Sequence, residues 1–109
     1  MIIKRFIQQN GRDIAQVTFC LPANKWSSTV HLVGDFNQWN QHTHPFHQTT
    51  DGAWTITVEL PSDQIYQFRY LCDGHEWLTD RGADGYIPNV HGSENCLLIT
   101  KRDFQPHTD

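Results

Sequence analysis

Two of the four tryptophans, Trp39 and Trp77, fall outside any inward-facing pattern and stand beside glycine-containing turns. Trp39 ends the stretch Gly34-Asp35-Phe36-Asn37-Gln38-Trp39, and Trp77 follows the Asp73-Gly74 turn. An aromatic ring held at a surface loop can pack its face against the C–H face of a pyranose, while nearby amides and guanidinium groups bond the hydroxyls. The same two rings can equally serve as lids over the end of an apolar core. Trp54 is in phase with Ile56 and Val58 and reads as core. Trp26, in Ala23-Asn24-Lys25-Trp26-Ser27, reads as a loop residue that packs locally.

Other constellations carry less. His42-Thr43-His44-Pro45-Phe46-His47 can be imagined to gather three imidazoles, but the stretch has no cysteine or carboxylate to complete a metal site, so none is expected. Asp80-Arg81-Gly82-Ala83-Asp84-Gly85 lacks the ligand alternation and distal glutamate of a calcium loop, which leaves Asp80 and Asp84 as turn-stabilising residues. Bond hydrolysis between sugars needs an acid and a second carboxylate across a deep cleft. Asp35, Asp73, Asp80 and Asp84 all sit in short glycine-containing turns, so no catalytic residue and no cofactor are expected.

The elements that must hold these residues read as short strands. Residues 53 to 60 alternate strictly, with Trp54, Ile56, Val58 and Leu60 on one face and Thr55, Thr57 and Glu59 on the other. From 64 to 72 the period returns, placing Tyr66, Phe68, Tyr70 and Cys72 inward and Gln67 and Arg69 outward. Pro61-Ser62-Asp63 between them reads as a tight connection, which predicts a hairpin. Weaker strand signals lie at 14 to 20, 29 to 33, 76 to 78 and 95 to 100. Turn chemistry separates the runs at Asn10-Gly11, Leu21-Pro22, Gly34-Asp35, Asp51-Gly52, Asp73-Gly74, Arg81-Gly82 and Asp84-Gly85-Tyr86. No sustained helical period interrupts this spacing, which is that of an all-β sandwich.

A chain of 109 residues with 38% hydrophobic and 18% charged residues has room for one domain, 1–109, and a core that needs no metal or disulfide. Eight Lys+Arg against twelve Asp+Glu give a net charge of -4 and no basic stripe, which argues against nucleic acid and against an anionic membrane surface. No apolar run approaches the length of a spanning helix, and Lys4-Arg5 interrupts the start, so the expected address is cytoplasmic. Cys20, Cys72 and Cys96 are odd in number and scattered, and read as buried free thiols. The stretch 101–109 is a polar tail that frays unless Phe104 docks.

Four ordered stretches carry a resemblance over residues 14 to 100: Val30 to Asn40, with its Gly34-Asp35-Phe36-Asn37-Gln38-Trp39; Asp51-Gly52-Ala53-Trp54; Tyr66 to Trp77; and Tyr86 to Asn95. In these the chain resembles a family 48 carbohydrate-binding module, the isoamylase-type early-set domain found beside glycogen branching and debranching enzymes and in the β subunit of the AMP-activated kinase. The resemblance implies an immunoglobulin-like early-set antiparallel β-sandwich. It implies that Trp39 and Trp77 stack on successive glucose units, that Arg69 is the basic residue before the second tryptophan, and that Ser93 and Asn95 supply a hydroxyl and an amide. At His91 the chain departs from the kinase subunits, which carry there an apolar residue that clasps the glucan. The partners implied are α-1,4-glucans (glycogen, starch, malto-oligosaccharides) and a separate glycogen-metabolising enzyme. Two other readings stand beside this one: a protein-interaction sandwich that has lost sugar binding, and a glycoside hydrolase label inherited from multidomain relatives.

Overall fold

The computed structural model describes residues 1–23 and 27–102. The readings made for Trp26 and Phe104 lie outside the described residues. Among the described residues nine strands follow one another: β1 (Ile2–Gln9), β2 (Arg12–Leu21), β3 (Val30–Gly34), β4 (His47–Gln48), β5 (Trp54–Pro61), β6 (Ile65–Cys72), β7 (Glu76–Leu78), β8 (Gly85–Pro88) and β9 (Glu94–Ile99). A 3-10 turn, Asp35–Asn37, follows β3. No helix among the described residues is long and apolar enough to cross a membrane.

The strands form two antiparallel sheets, one in the order β1-β2-β5-β4 and the other β3-β6-β9-β8, with β7 also paired to β6. Their inner faces share one core in which Trp54, Ile56, Phe68 and Tyr70 are buried and Val58 and Tyr66 pack against it. The ring of Phe19 on β2 meets Phe68 and Tyr70 on β6 edge-on, with centroids 5.2 and 6.2 Å apart, and these contacts join the two layers. The architecture is the all-β sandwich expected from the strand pattern, and it is consistent with the immunoglobulin-like early-set type that the resemblance implies.

The expected hairpin between the two strongest strands does not form. β5 pairs with β2 and β4, whereas β6 pairs with β3, β9 and β7, so Pro61-Ser62-Asp63 crosses from one sheet to the other. Ser62 still belongs to the first sheet, its N–H and hydroxyl both donating to the Asp13 carbonyl at 3.2 and 2.8 Å. Asp63, at a positive φ of 62°, already donates to the Thr100 carbonyl beyond β9 at 2.8 Å. Alternation reports which face of a strand is buried; it is silent on which strand lies beside it.

Three further strands were not legible. In β1, the register places Ile2, Lys4 and Phe6 opposite the inward Phe19, Val17 and Ala15. A lysine at an inward position breaks the apolar pattern. Its ammonium is nevertheless satisfied, by the Asp84 carboxylate at 2.6 Å and the Ile99 carbonyl at 2.9 Å. Asp84 thereby ties the two sheets together, and its Oδ2 also accepts from the Ile99 N–H at 2.7 Å. β4 spans two residues only, and β8 begins at Gly85, where the sequence had indicated a turn. By contrast Asn10-Gly11 is a hairpin turn with both residues at positive φ, 52° and 77°, the geometry that Asn-Gly favours.

Cys72 and Cys96 are buried and free, and burial pushes both thiols up from their ordinary pKa. Cys20 is only half-buried, a departure from the expectation of three buried thiols. The reason is register: Cys20 lies opposite Thr55, on the outer face of the first sheet. Asp80 is buried and does more than close a turn, because its Oδ1 accepts from the Gly82 N–H at 2.7 Å while Oδ2 accepts from the Tyr70 hydroxyl at 2.7 Å.

Candidate functional site

The site is assembled on the outer face of the second sheet. Register places Val33 opposite Arg69, Leu71 opposite Trp77, and Ile87 opposite Asn95, all on the side away from the core. β6 changes neighbour in the middle of this face. It pairs with β9 through Phe68 and with β7 from Tyr70 onward, so Arg69 stands where the two neighbours meet. That switch brings Trp77 and Asn95, 18 residues apart in the chain, to the same arginine. The Arg69 guanidinium lies over the Trp77 ring, 5.6 Å from its centroid, close enough for a cation–π attraction. Its Nε is buried without a hydrogen-bond partner among the described residues.

Trp39 arrives from a different direction. β3 ends at Gly34, where an added Cβ would fall 2.6 Å from the Gln67 carbonyl oxygen and 2.8 Å from Phe68 Cβ. Only glycine lets β3 approach β6 this closely. The 3-10 turn then carries the chain outward, and both Gln38 and Trp39 are left-handed, with φ of 55° and 57°. Such conformations are unfavourable for these residues and concentrate at functional sites. They are held by the Trp39 N–H donating to the Gly34 carbonyl at 2.8 Å and by the indole Nε1 donating to Asp35 at 2.9 Å. Buried Asn37 braces the turn from below, accepting from the Gly34 N–H at 3.0 Å and donating to the Leu32 carbonyl at 3.0 Å.

The third wall is the β8–β9 turn. Asn89 organises it: its Oδ1 accepts from the N–H groups of His91 and Ser93 at 2.9 and 3.2 Å, and its Nδ2 donates to Asn95 Oδ1 at 3.2 Å. Asn95 in turn donates to Gln67 Oε1 at 3.0 Å. The amides of Asn89, Asn95 and Gln67 therefore form a fixed relay along the sheet surface.

These elements enclose an open groove of about 510 Å³ lined by Trp39, Arg69, Trp77, Asn89, Val90, His91 and Asn95. Five of the six residues singled out from the sequence thus line one cavity. Ser93 does not line it; it opens into a neighbouring cleft that shares Arg69 and Trp77. Asn89 and Val90 were missed. Val90 is 94% exposed, an isolated apolar residue at the tip of a polar turn, and that incongruity was the available signal. With Val90 beside it, His91 is not the only side chain at the place where the resemblance calls for an apolar residue.

The remaining candidates take structural places. His42 packs edge-on against His31 at 6.2 Å, His44 faces Phe36 and contacts Asn37, and His47 lies on β4. The three imidazoles are not brought together, and no group of three metal-binding side chains occurs among the described residues. Asp73 caps the start of β3 by accepting from the Ser28 and Thr29 N–H groups at 2.6 and 3.0 Å, which holds its carboxyl below the usual range.

A 1,4-alpha-glucan branching enzyme from Lactobacillus acidophilus is 35% identical over 68% of this chain, which covers 13% of that enzyme. One from Synechococcus sp. (strain CC9311) is 37% identical over 62% of the chain and 9% of its own length. One from Photobacterium profundum is 26% identical over 91% of the chain and 14% of its own. The chain thus spans a small part of the curated relatives it matches. Residues 7–83 match the family described as carbohydrate-binding module 48, the isoamylase N-terminal domain, and the chain belongs to that family.

Proposed function

We infer that the groove holds an α-1,4-glucan such as glycogen, starch or a malto-oligosaccharide, and that the chain acts as a non-catalytic binding module. The observation that carries this reading is the convergence of Trp39, Arg69, Trp77 and Asn95, from four separate elements, on one cavity. Two half-buried indoles offer faces for glucose rings, and the Arg69 and Asn95 heads offer hydrogen bonds to the hydroxyls between them. Val90 and His91 close the tip. The Asn89–Asn95–Gln67 relay supports the reading further, since preorganised donors cost little to order when the sugar arrives.

The carboxylates support a role without chemistry. Asp35 bonds the Trp39 indole and the Gln67 N–H, Asp73 caps β3, Asp80 bonds Tyr70, and Asp84 bonds Lys4. Each is engaged in holding the fold. A relation to a glucan-active enzyme, as part of one chain or as a recruited partner, fits the branching enzymes that the chain resembles.

Calorimetry with maltoheptaose tests the reading. Binding in the micromolar to millimolar range is expected, with no reducing sugar released from glycogen, amylose or pullulan. No heat with maltoheptaose and no retention on insoluble starch would favour the protein-interaction sandwich. Sugar release abolished by changing one of the four aspartates would restore the hydrolase.

A further inference from the structure

β5 runs well past the strand that covers its edge. β4 pairs with it through His47 and Gln48, opposite Thr55 and Trp54. Carried further back, that register would set Pro45 opposite Thr57 and Thr43 opposite Glu59. The chain leaves this lane instead. Pro45 is bridged to His31 in the other sheet, the His44 carbonyl accepts from the Leu32 N–H at 2.9 Å, and the Phe46 N–H donates to the Val30 carbonyl at 2.8 Å. Buried Phe46 holds the detour, its ring edge-on to Tyr70 at 5.5 Å. Among the described residues this leaves a cleft of about 450 Å³ beside β5, with Ile56 to Leu60 along one wall and Phe36, Thr43, His44 and Pro45 along the other.

Register decides which polar groups face that lane. The Ser62 N–H donates to the Asp13 carbonyl at 3.2 Å in line with the β2–β5 pairing, which gives the main-chain bonds of that ladder to Ile56, Val58 and Leu60. On the opposite edge the Thr49 N–H donates to the Ala53 carbonyl at 2.7 Å, in the register that turns Thr55 toward β4. The N–H and C=O groups of Thr57 and Glu59 therefore point into the cleft, two residues or about 6.8 Å apart.

We propose that this lane docks an extended segment of a partner polypeptide, which adds a strand to the first sheet in line with β4 and sets a lysine or arginine opposite Glu59. The main chain chooses the kind of occupant: paired donors and acceptors at this repeat are matched by another extended polypeptide. Charge chooses its side chains. Glu59 is the one carboxylate that lines the cleft, is exposed, and meets Gln9 Nε2 at a long 3.4 Å. A cation on the added strand lies directly across from it on the outer face of the sheet. The next residue of that strand turns inward, toward half-buried Val58 and Phe36, and is therefore apolar. No residue lines both this cleft and the groove that holds Trp39 and Trp77, so the inference does not depend on the glucan reading, and both sites can be filled at once.

The test is nuclear magnetic resonance on the whole chain, titrated with an acetylated, amidated pentapeptide of sequence lysine-valine-lysine-valine-threonine. Saturable binding is expected in about the micromolar to millimolar range, with the amide signals of Thr57 and Glu59 moving most and those of Trp77 and Asn95 unmoved. N-methylation of the peptide at its second lysine and its threonine, the residues that face Glu59 and Thr57, should weaken binding about tenfold by removing two donors. Glu59→Lys, at an exposed position, should keep the wild-type thermal midpoint, weaken the lysine peptide about three- to tenfold and prefer a peptide with glutamate in place of lysine. No saturable shift at Thr57 and Glu59 in the wild type overturns the proposal, as does binding that survives N-methylation. An unchanged preference for lysine in Glu59→Lys overturns the charge pairing. Concentration-dependent protection of the same two amides without peptide overturns the partner, since a second copy then fills the lane.

Discussion

The indole Nε1 of Trp39 donates to one oxygen of the Asp35 carboxylate at 2.9 Å, and the other oxygen accepts from the Gln67 N–H of β6 at 2.7 Å. One exposed carboxylate therefore couples a ring of the groove to the strand that carries Arg69. The bond also occupies the only polar atom of the indole, which leaves Trp39 to act on a sugar through its face alone. Asp35→Ala should free the ring and weaken maltoheptaose binding by about tenfold, equivalent to ~1.4 kcal/mol, without loss of the native circular dichroism spectrum. Asp35→Asn should lie between, because the amide oxygen can still accept from the indole while its NH₂ opposes the Gln67 N–H. Unchanged affinity in Asp35→Ala would refute this positioning role.

The two rings themselves should each contribute about 1–3 kcal/mol, by analogy with bases stacked on aromatic side chains. Trp39→Ala and Trp77→Ala are each expected to abolish measurable glucan binding by a weak module while leaving the thermal midpoint close to wild type. Trp54→Ala should do the reverse, because Trp54 is 5% exposed in the core. The pair of readouts, calorimetry and thermal melting, separates the surface indoles from the buried one.

Phe68 is fully buried and contacts both Phe19 and Tyr70. Phe68→Ala should cost about 3–5 kcal/mol in chemical denaturation. Gly34→Ala should also destabilise, since its added methyl collides with the β6 backbone, and it should displace Trp39 as well. A Gly34→Ala protein with wild-type stability and affinity would refute the close approach of β3 and β6.

Thiol reagents should distinguish the three cysteines. Cys72 and Cys96 are 1% and 0% exposed, and burial holds both thiols in the protonated, unreactive form. Cys20 lies half-exposed beside the Thr55 hydroxyl. One cysteine should label in the native protein and three after denaturation. Fast native labelling of all three would contradict the register of β6 and β9.

Burial, reinforced by the neighbouring His42, holds the His31 imidazole below its ordinary pKa of 6.5. The unfolded chain therefore takes up a proton at a pH where the folded one does not. Nothing is contributed well above pH 6.5, and stability falls as the pH drops through that value. The thermal midpoint should decline between pH 7.5 and 5.5, and the decline should be smaller in His31→Asn. An identical slope in the variant would rule out His31 as its source.

How much of this was legible in the chain differs from element to element. Strict alternation at 53–60 and 64–72 placed Trp54, Phe68 and Tyr70 inside and Arg69 outside without any knowledge of their neighbours. The same alternation failed at β1, because Lys4 faces inward and finds Asp84 and the Ile99 carbonyl across the sandwich. A partner 80 residues away leaves no trace in a local pattern.

The Asn10-Gly11 turn and the outward phase of Arg69 follow from the sequence by itself, since glycine conformations and the two-residue period of a strand are local properties. The crossing at Pro61-Ser62-Asp63 does not, because a turn of that composition can either reverse a strand within a sheet or carry it to the next. Tertiary structure alone decided that β6 exchanges β9 for β7 at Arg69, and with it that Trp77, Asn95 and the Val90 tip share one groove while Ser93 faces another cleft. Strand neighbours are chosen by how two whole faces bury against each other, and that choice is made between residues far apart in the chain.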